Sequence, residues 1–170
     1  MSGKVRNKMT KDTVPEGFGV ALALTDLIPV VFFGLSAVRV GDLFDSALFT
    51  FGAAVCLASG VVKVLWKLIA AVKKKNIWPM FVQMRILMPV GFALMIAALI
   101  AGRAKLSGEA ILAGLTGFPA CIFFALGVLG MLFMIFCAVR MDSSDPKTNR
   151  LEQTVNGAAQ LCFFVGLLLV

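Results

Sequence analysis

Long apolar runs separated by short polar breaks make up the whole chain. The runs cover about residues 18–38, 45–67, 79–102, 110–138 and 153–170. Crossing a ~30 Å hydrocarbon layer takes ~20 residues of helix, so each run is predicted to be one span. None shows the period-two alternation of a barrel strand, and in lipid a helix satisfies its own backbone hydrogen bonds. The pattern predicts an all-α fold: a polytopic transmembrane helical bundle of about five spans, in a single integral membrane domain preceded by a basic tail over residues 1–17.

Orientation follows from the breaks, because Lys and Arg concentrate on the cytoplasmic side of short connections. With the N-terminus inside, Lys4, Arg6, Lys8, Lys11, Lys73, Lys74, Lys75, Arg140, Lys147 and Arg150 are all cytoplasmic. Arg39, Arg103 and Lys105 then lie outside, and the C-terminus is expected outside as well. Trp66 and Trp78 flank the Lys73–Lys75 run, where indoles sit at a headgroup boundary. The basic start resembles a signal peptide, but the apolar stretch from Phe18 to Val38 exceeds the ~7–15 residues of a cleavable core and is expected to stay as an anchor. The expected location is the plasma (cytoplasmic) membrane, with the lipid bilayer as the first partner.

Composition agrees. The chain is 60% hydrophobic and only 15% charged, with a mean hydropathy of +0.97; a soluble domain is about half apolar and about a quarter charged. The net charge of +7 sits at the edges of apolar segments and not in a separate polar domain, so it serves membrane orientation and predicts no nucleic-acid partner. Cys56, Cys121, Cys137 and Cys162 all fall in apolar runs, with no C-x-x-C pair and no histidine in the chain. They read as small packing residues, and no metal or cofactor is expected.

The connection "MDSSDPKTNRLEQ" reads as a solvated turn in which Asp145 caps a helix and Pro146 is its first residue. Its acids, Asp142, Asp145 and Glu152, lack calcium-loop spacing. Small residues recur at every fourth position as Gly52, Cys56 and Gly60; Ala93, Ala97 and Ala101; Ala113, Gly117, Cys121 and Ala125; and Ala158, Cys162 and Gly166. Such stripes let helices approach closely, within one chain or between copies. Pro29, Pro89 and Pro119 each fall inside a run and should bend or open its helix. "LTDLIPVVFFGL" from Leu24 echoes "LTGFPACIFFAL" from Leu115, a relation that is either an inverted repeat or a coincidence of Phe- and Leu-rich helices.

Asp26 is the residue that most needs an explanation. It lies roughly eight residues, or ~12 Å, into the first run, where an ionised carboxylate costs ~2.5–3.5 kcal/mol on insertion scales. It must be paired, hydrated or protonated. Ser59, Lys63 and Lys67 form a stripe at four-residue spacing that enters from the same side; Glu152, Asn156 and Gln160 form another; Gln83 and Arg85 begin the third run. If the stripes face each other they enclose a polar, weakly positive, cytoplasm-facing cavity around Asp26. The candidate substrate- or ion-binding residues are Asp26, Thr25, Ser59, Lys63, Arg85, Asn156 and Gln160. Alternatively Lys63, Lys67 and Arg85 snorkel to lipid phosphates, and Asn156 and Gln160 serve as interhelical hydrogen-bonding glue.

Neither a nucleophile with a base nor a carboxylate pair at catalytic spacing is evident, so no enzymatic activity is expected. Two readings of function follow. One is a transporter- or channel-like protein that handles a small solute, ion or proton. The other is a membrane-embedded interaction or accessory subunit that assembles, as a homo-oligomer or with a partner membrane protein, through its small-residue faces.

Overall fold

The computed structural model describes residues 19–102, 108–141 and 146–170, and every regular element among them is a helix. α1 (Val20–Phe44) and α2 (Ala47–Lys73) form a hairpin. At its tip Asp45 takes left-handed backbone, φ 42°, and its N–H returns to the Gly41 carbonyl. Ser46 then caps α2 by accepting the Phe49 N–H on its hydroxyl at 3.3 Å. α3 (Trp78–Val82) carries Pro79 in its first turn and leads into α4 (Met84–Ala101). α5 (Gly108–Thr116), α6 (Ala120–Arg140) and α7 (Pro146–Leu168) complete the chain.

Four helical stretches are long and apolar enough to cross a bilayer: Val20–Asp42, Ala47–Lys73, Trp78–Ala101 and Ala120–Cys137. The chain is a membrane protein of several spans. The hydropathy pattern predicts five, and the difference lies in α7. Lys147, Arg150 and Glu152 occupy its first turns, so its apolar part starts only near Thr154 and is short for a crossing. The predicted 110–138 span is divided, because the helix stops at Thr116 and resumes after Pro119. This break separates the two echoing segments in conformation: the one from Leu24 is continuous helix, and the one from Leu115 straddles the interruption. Lys4, Arg6, Lys8, Lys11, Arg103, Lys105, Asp142 and Asp145 lie outside the described residues.

The long helices stand in a row, α4 against α2, α2 against α1, α1 against α7 and α7 against α6. Among the described residues α4 and α6, at the two ends, make no close backbone contact. α2 is the most enclosed helix, with Phe49, Gly52, Ala53, Cys56, Ser59 and Gly60 among its buried positions. Where α2 crosses α4 the backbones nearly touch: a Cβ on Gly52 would come within 2.8 Å of the Gly91 carbonyl oxygen, and one on Gly91 within 2.8 Å of that of Gly52. Cys56 Sγ, directed at the Met88 carbonyl at 3.6 Å, fills the adjoining space. The Gly52 stripe is thus a seam inside the monomer.

The other stripes turn differently. Ala93, Ala97 and Ala101 are exposed, and α4 packs instead through Gly91 and Ala98. Ala113, Ala125 and Ala158 are exposed as well, while Gly130 packs on Ala159 and Gly166 on Phe124. Cys56 and Cys137 are buried, Cys121 and Cys162 partly so, and all four are free thiols. Trp66 faces the protein interior. It is 1% exposed, stacks on Phe81 at 4.9 Å and donates its indole N–H to Asn76 Oδ1 at 2.9 Å, whereas Trp78 remains part-exposed on the far side of Phe81.

Overpacking a closed helix crossing costs typically about 1–3 kcal/mol. Gly91→Leu is expected to lower stability in mild detergent by about that much, read as unfolding by Trp66 fluorescence. Ala97→Leu, on the exposed face of the same helix, should stay within about 0.5 kcal/mol of the parent. Equal losses in the two variants would show that the α2–α4 crossing is not the tight contact.

Candidate functional site

Asp26 lies in the second turn of α1 and is 2% exposed. Two lysines of α2 meet it, since the hairpin runs the helices antiparallel and four-residue spacing puts Lys63 and Lys67 on one face. Lys67 Nζ lies 2.6 Å from Asp26 Oδ2, and Lys63 Nζ lies 3.9 Å from the same oxygen. Lys67 also donates to Asn149 Oδ1 at 3.0 Å, so the first turn of α7 closes over the pair. Glu152, likewise buried, is near enough to Lys67 to act on it electrostatically. Two cations therefore face two acids, and the cluster is close to neutral where the sequence pattern predicts a weakly positive one.

A cavity of about 200 Å³ adjoins this cluster. Asp26, Lys63, Gln153, Asn156 and Gln160 supply its polar wall. The rest is apolar and drawn from four of the long helices: Pro29 and Phe33 from α1, Leu57 from α2, Met88 and Phe92 from α4, and Met131 from α6. Phe33 and Phe92 meet edge to face at 6.1 Å and bound it on one side. Asp26 Oδ1, buried, accepts no hydrogen bond among the described residues. Pro29 has no N–H to give the Thr25 carbonyl, which leaves the backbone beside Asp26 locally under-bonded as well.

A second cavity, of about 890 Å³, lies between α1 and α2 toward their hairpin end, bordered by Gly34, Gly41, Asp42, Asp45 and Ser46. Leu57 borders both cavities and lies over Gly34, where an added Cβ would come within 3.1 Å of its Cδ1.

Of the predicted site residues, Asp26, Lys63, Asn156 and Gln160 come together at the first cavity. Three do not. Thr25 donates its hydroxyl to the Ala21 carbonyl at 2.9 Å within its own helix. Ser59 is fully buried on the lysine stripe but is not in the cavity wall; its carbonyl accepts Gln83 Nε2 at 3.1 Å. Arg85 is exposed and lies over the Phe81 ring at 5.1 Å, because α3 turns it away from the row. The snorkelling alternative does not hold for Lys67, which is 3% exposed and holds the shortest contact to Asp26. Gln153 belongs to the site too. Both were legible in spacing, Lys67 as the third member of the Ser59 stripe and Gln153 one turn before Asn156 on the same face.

Groups of His, Cys, Asp or Glu that could hold a metal ion are absent among the described residues. Comparison with protein-family models, curated proteins and solved structures finds no match to this chain.

Removing one partner of a buried ion pair leaves an uncompensated charge, a loss of about 3–5 kcal/mol, whereas removing both is far milder. Lys67→Met is therefore expected to destabilise the protein strongly and Asp26→Asn to relieve most of that loss in the double variant, the coupling being read from a thermal double-mutant cycle. Lys63→Met, at 3.9 Å and 28% exposed, should cost much less. Additive effects of the Lys67 and Asp26 changes would rule out the pair as a unit.

Proposed function

We propose that the chain is a non-enzymatic, transporter- or channel-like protein of the plasma (cytoplasmic) membrane, which handles a small solute, ion or proton at the cavity around Asp26. The observation that carries this reading is that the polar cavity at one end of the bundle and the larger cavity toward the other end share one wall residue, Leu57. A path across the bundle is thereby interrupted by a leucine side chain packed on a glycine. The polar cavity is assigned to the cytoplasmic side because Lys73, Lys74, Lys75, Arg140, Lys147 and Arg150 cluster at its end of the helices, against Arg39 at the other.

The exposed Ala93, Ala97 and Ala101 face of α4 favours a second reading, an accessory subunit or homo-oligomer assembled through that stripe. One experiment separates the two. In proteoliposomes loaded with a pH-sensitive dye and exposed to labelled small organic ions, the parent protein is expected to move protons or solute above protein-free vesicles. Leu57→Ala should raise the flux, and Asp26→Asn combined with Lys67→Met, the double variant that leaves no buried charge unpaired, should abolish it with the fold retained. Flux equal to that of empty vesicles in all three, with Ala97→Leu changing the oligomeric state, would replace the transport reading by the assembly one.

A further inference from the structure

The polar cavity is not closed off from the side of the bundle. Part of its apolar wall comes from α4 and α6, which do not pack on each other among the described residues. Phe92 and Met131, one on each of these helices, line the cavity and are also 45% and 36% exposed on the outer surface. On a membrane helix that surface faces acyl chains. The gap between α4 and α6 is therefore a lateral opening from the bilayer into a polar chamber.

The chamber has a defined chemistry. Lys67 and Asp26 neutralise each other in the wall at 2.6 Å. Lys63, more distant and 28% exposed, is the cationic side chain left to face the cavity, beside the amides of Asn156 and Gln160. Asp26 Oδ1, on a residue 2% exposed, has no donor among the described residues. An occupant that satisfies this wall brings a negative charge to Lys63 and an O–H to the free carboxylate oxygen. The space of about 200 Å³ has room for a lipid headgroup and too little for its chains.

We propose that the cavity is the headgroup site for an anionic, hydroxyl-bearing membrane lipid, whose acidic group docks on Lys63 and the α7 amides, whose hydroxyl donates to Asp26 Oδ1, and whose chains leave between α4 and α6. The inference rests on the transport reading only in naming the cargo class; occupancy of the site is a separate fact with its own test. The second cavity is likewise bordered by exposed apolar side chains, Val38 and Phe51.

The full chain in phosphatidylcholine nanodiscs, doped with diazirine-bearing phosphatidylglycerol or diazirine-bearing phosphatidylcholine, tests this by photolabelling and peptide mapping. The phosphatidylglycerol probe is expected to label peptides containing Phe92 and Met131, and the phosphatidylcholine probe to label the outer surface without that focus. Lys63→Gln should cut the focused labelling about tenfold, the scale of one lost charge-assisted hydrogen bond. Lys63→Arg should keep it, and Arg85→Gln, outside the cavity, should leave it unchanged. Met131→Trp, which narrows the opening without touching the ion pair, should also reduce it. Equal labelling by both lipids, or labelling indifferent to Lys63→Gln, would overturn the proposal. Displacement by water-soluble glycerol phosphate would overturn the lipid and leave a free anion as the ligand. Solute flux without cavity labelling would remove the ligand class and leave transport standing; cavity labelling without flux would do the reverse.

Discussion

A carboxylate in the second turn of a membrane helix has to be met, and the hairpin of α1 and α2 meets it. Asp26 lies 19 residues before Asp45 at the hairpin tip and Lys67 lies 22 after it, so two antiparallel helices bring them to nearly the same depth. A 2.6 Å ion pair follows from that register. It is useful only while both partners stay, since either charge alone in an apolar setting is costlier than the pair. Asn149 at the start of α7 adds a third anchor by accepting from the same lysine. Asn149 and Glu152, in the polar turns that shorten the apolar span of α7, are thus also the residues that lie toward the pair.

This arrangement fixes α1, α2 and α7 as the centre of the row and leaves α4 and α6 as its arms. Lipid is as apolar as a leucine side chain, so burial alone gives the arms little reason to associate, and close packing has to hold them. α4 is held by the mutual approach of Gly52 and Gly91, and α6 by Gly130 on Ala159 and Gly127 against Phe163. Each arm grips one long central helix. The space between the arms is the cavity, and its polar wall is the face that the three central helices present after pairing their charges.

That the chain is built of long apolar helices was legible from hydropathy, because insertion into hydrocarbon acts on whole segments. Helix rotation was not. A position facing lipid and a position facing another helix are both apolar, so Ala93 and Ala98 look alike in sequence although one is exposed and the other buried. Polar residues carry more rotational information, and there the four-residue spacing of Ser59, Lys63 and Lys67 did point at Asp26. The reading that Lys67 snorkels like Arg85 fails for a geometric reason: Lys67 faces α1 and α7, while Arg85 follows the break at Gln83 and is turned onto Phe81. The division at Pro119 was signalled by the proline, but its severity was not, since a proline inside a membrane helix bends it in one context and ends it in another.

The distribution of restraints also says which parts can move at least cost. Separating α1 from α2 at the polar end would strip a buried carboxylate of its cation, and drawing α7 away would strip Lys67 of Asn149. Displacing α4 or α6 breaks no charge pair among the described residues and sacrifices van der Waals contact along one seam. α4 carries Pro89, as α1 carries Pro29, and the chain breaks just before α6 begins at Ala120. The contacts that bound the cavity laterally, Phe92 against Phe33 and Met131 on the facing arm, are therefore on the elements least tied down, while the charged wall is on those most tied down. A fixed polar surface with adjustable apolar sides lets the entrance width vary without altering the electrostatics that a bound group would meet.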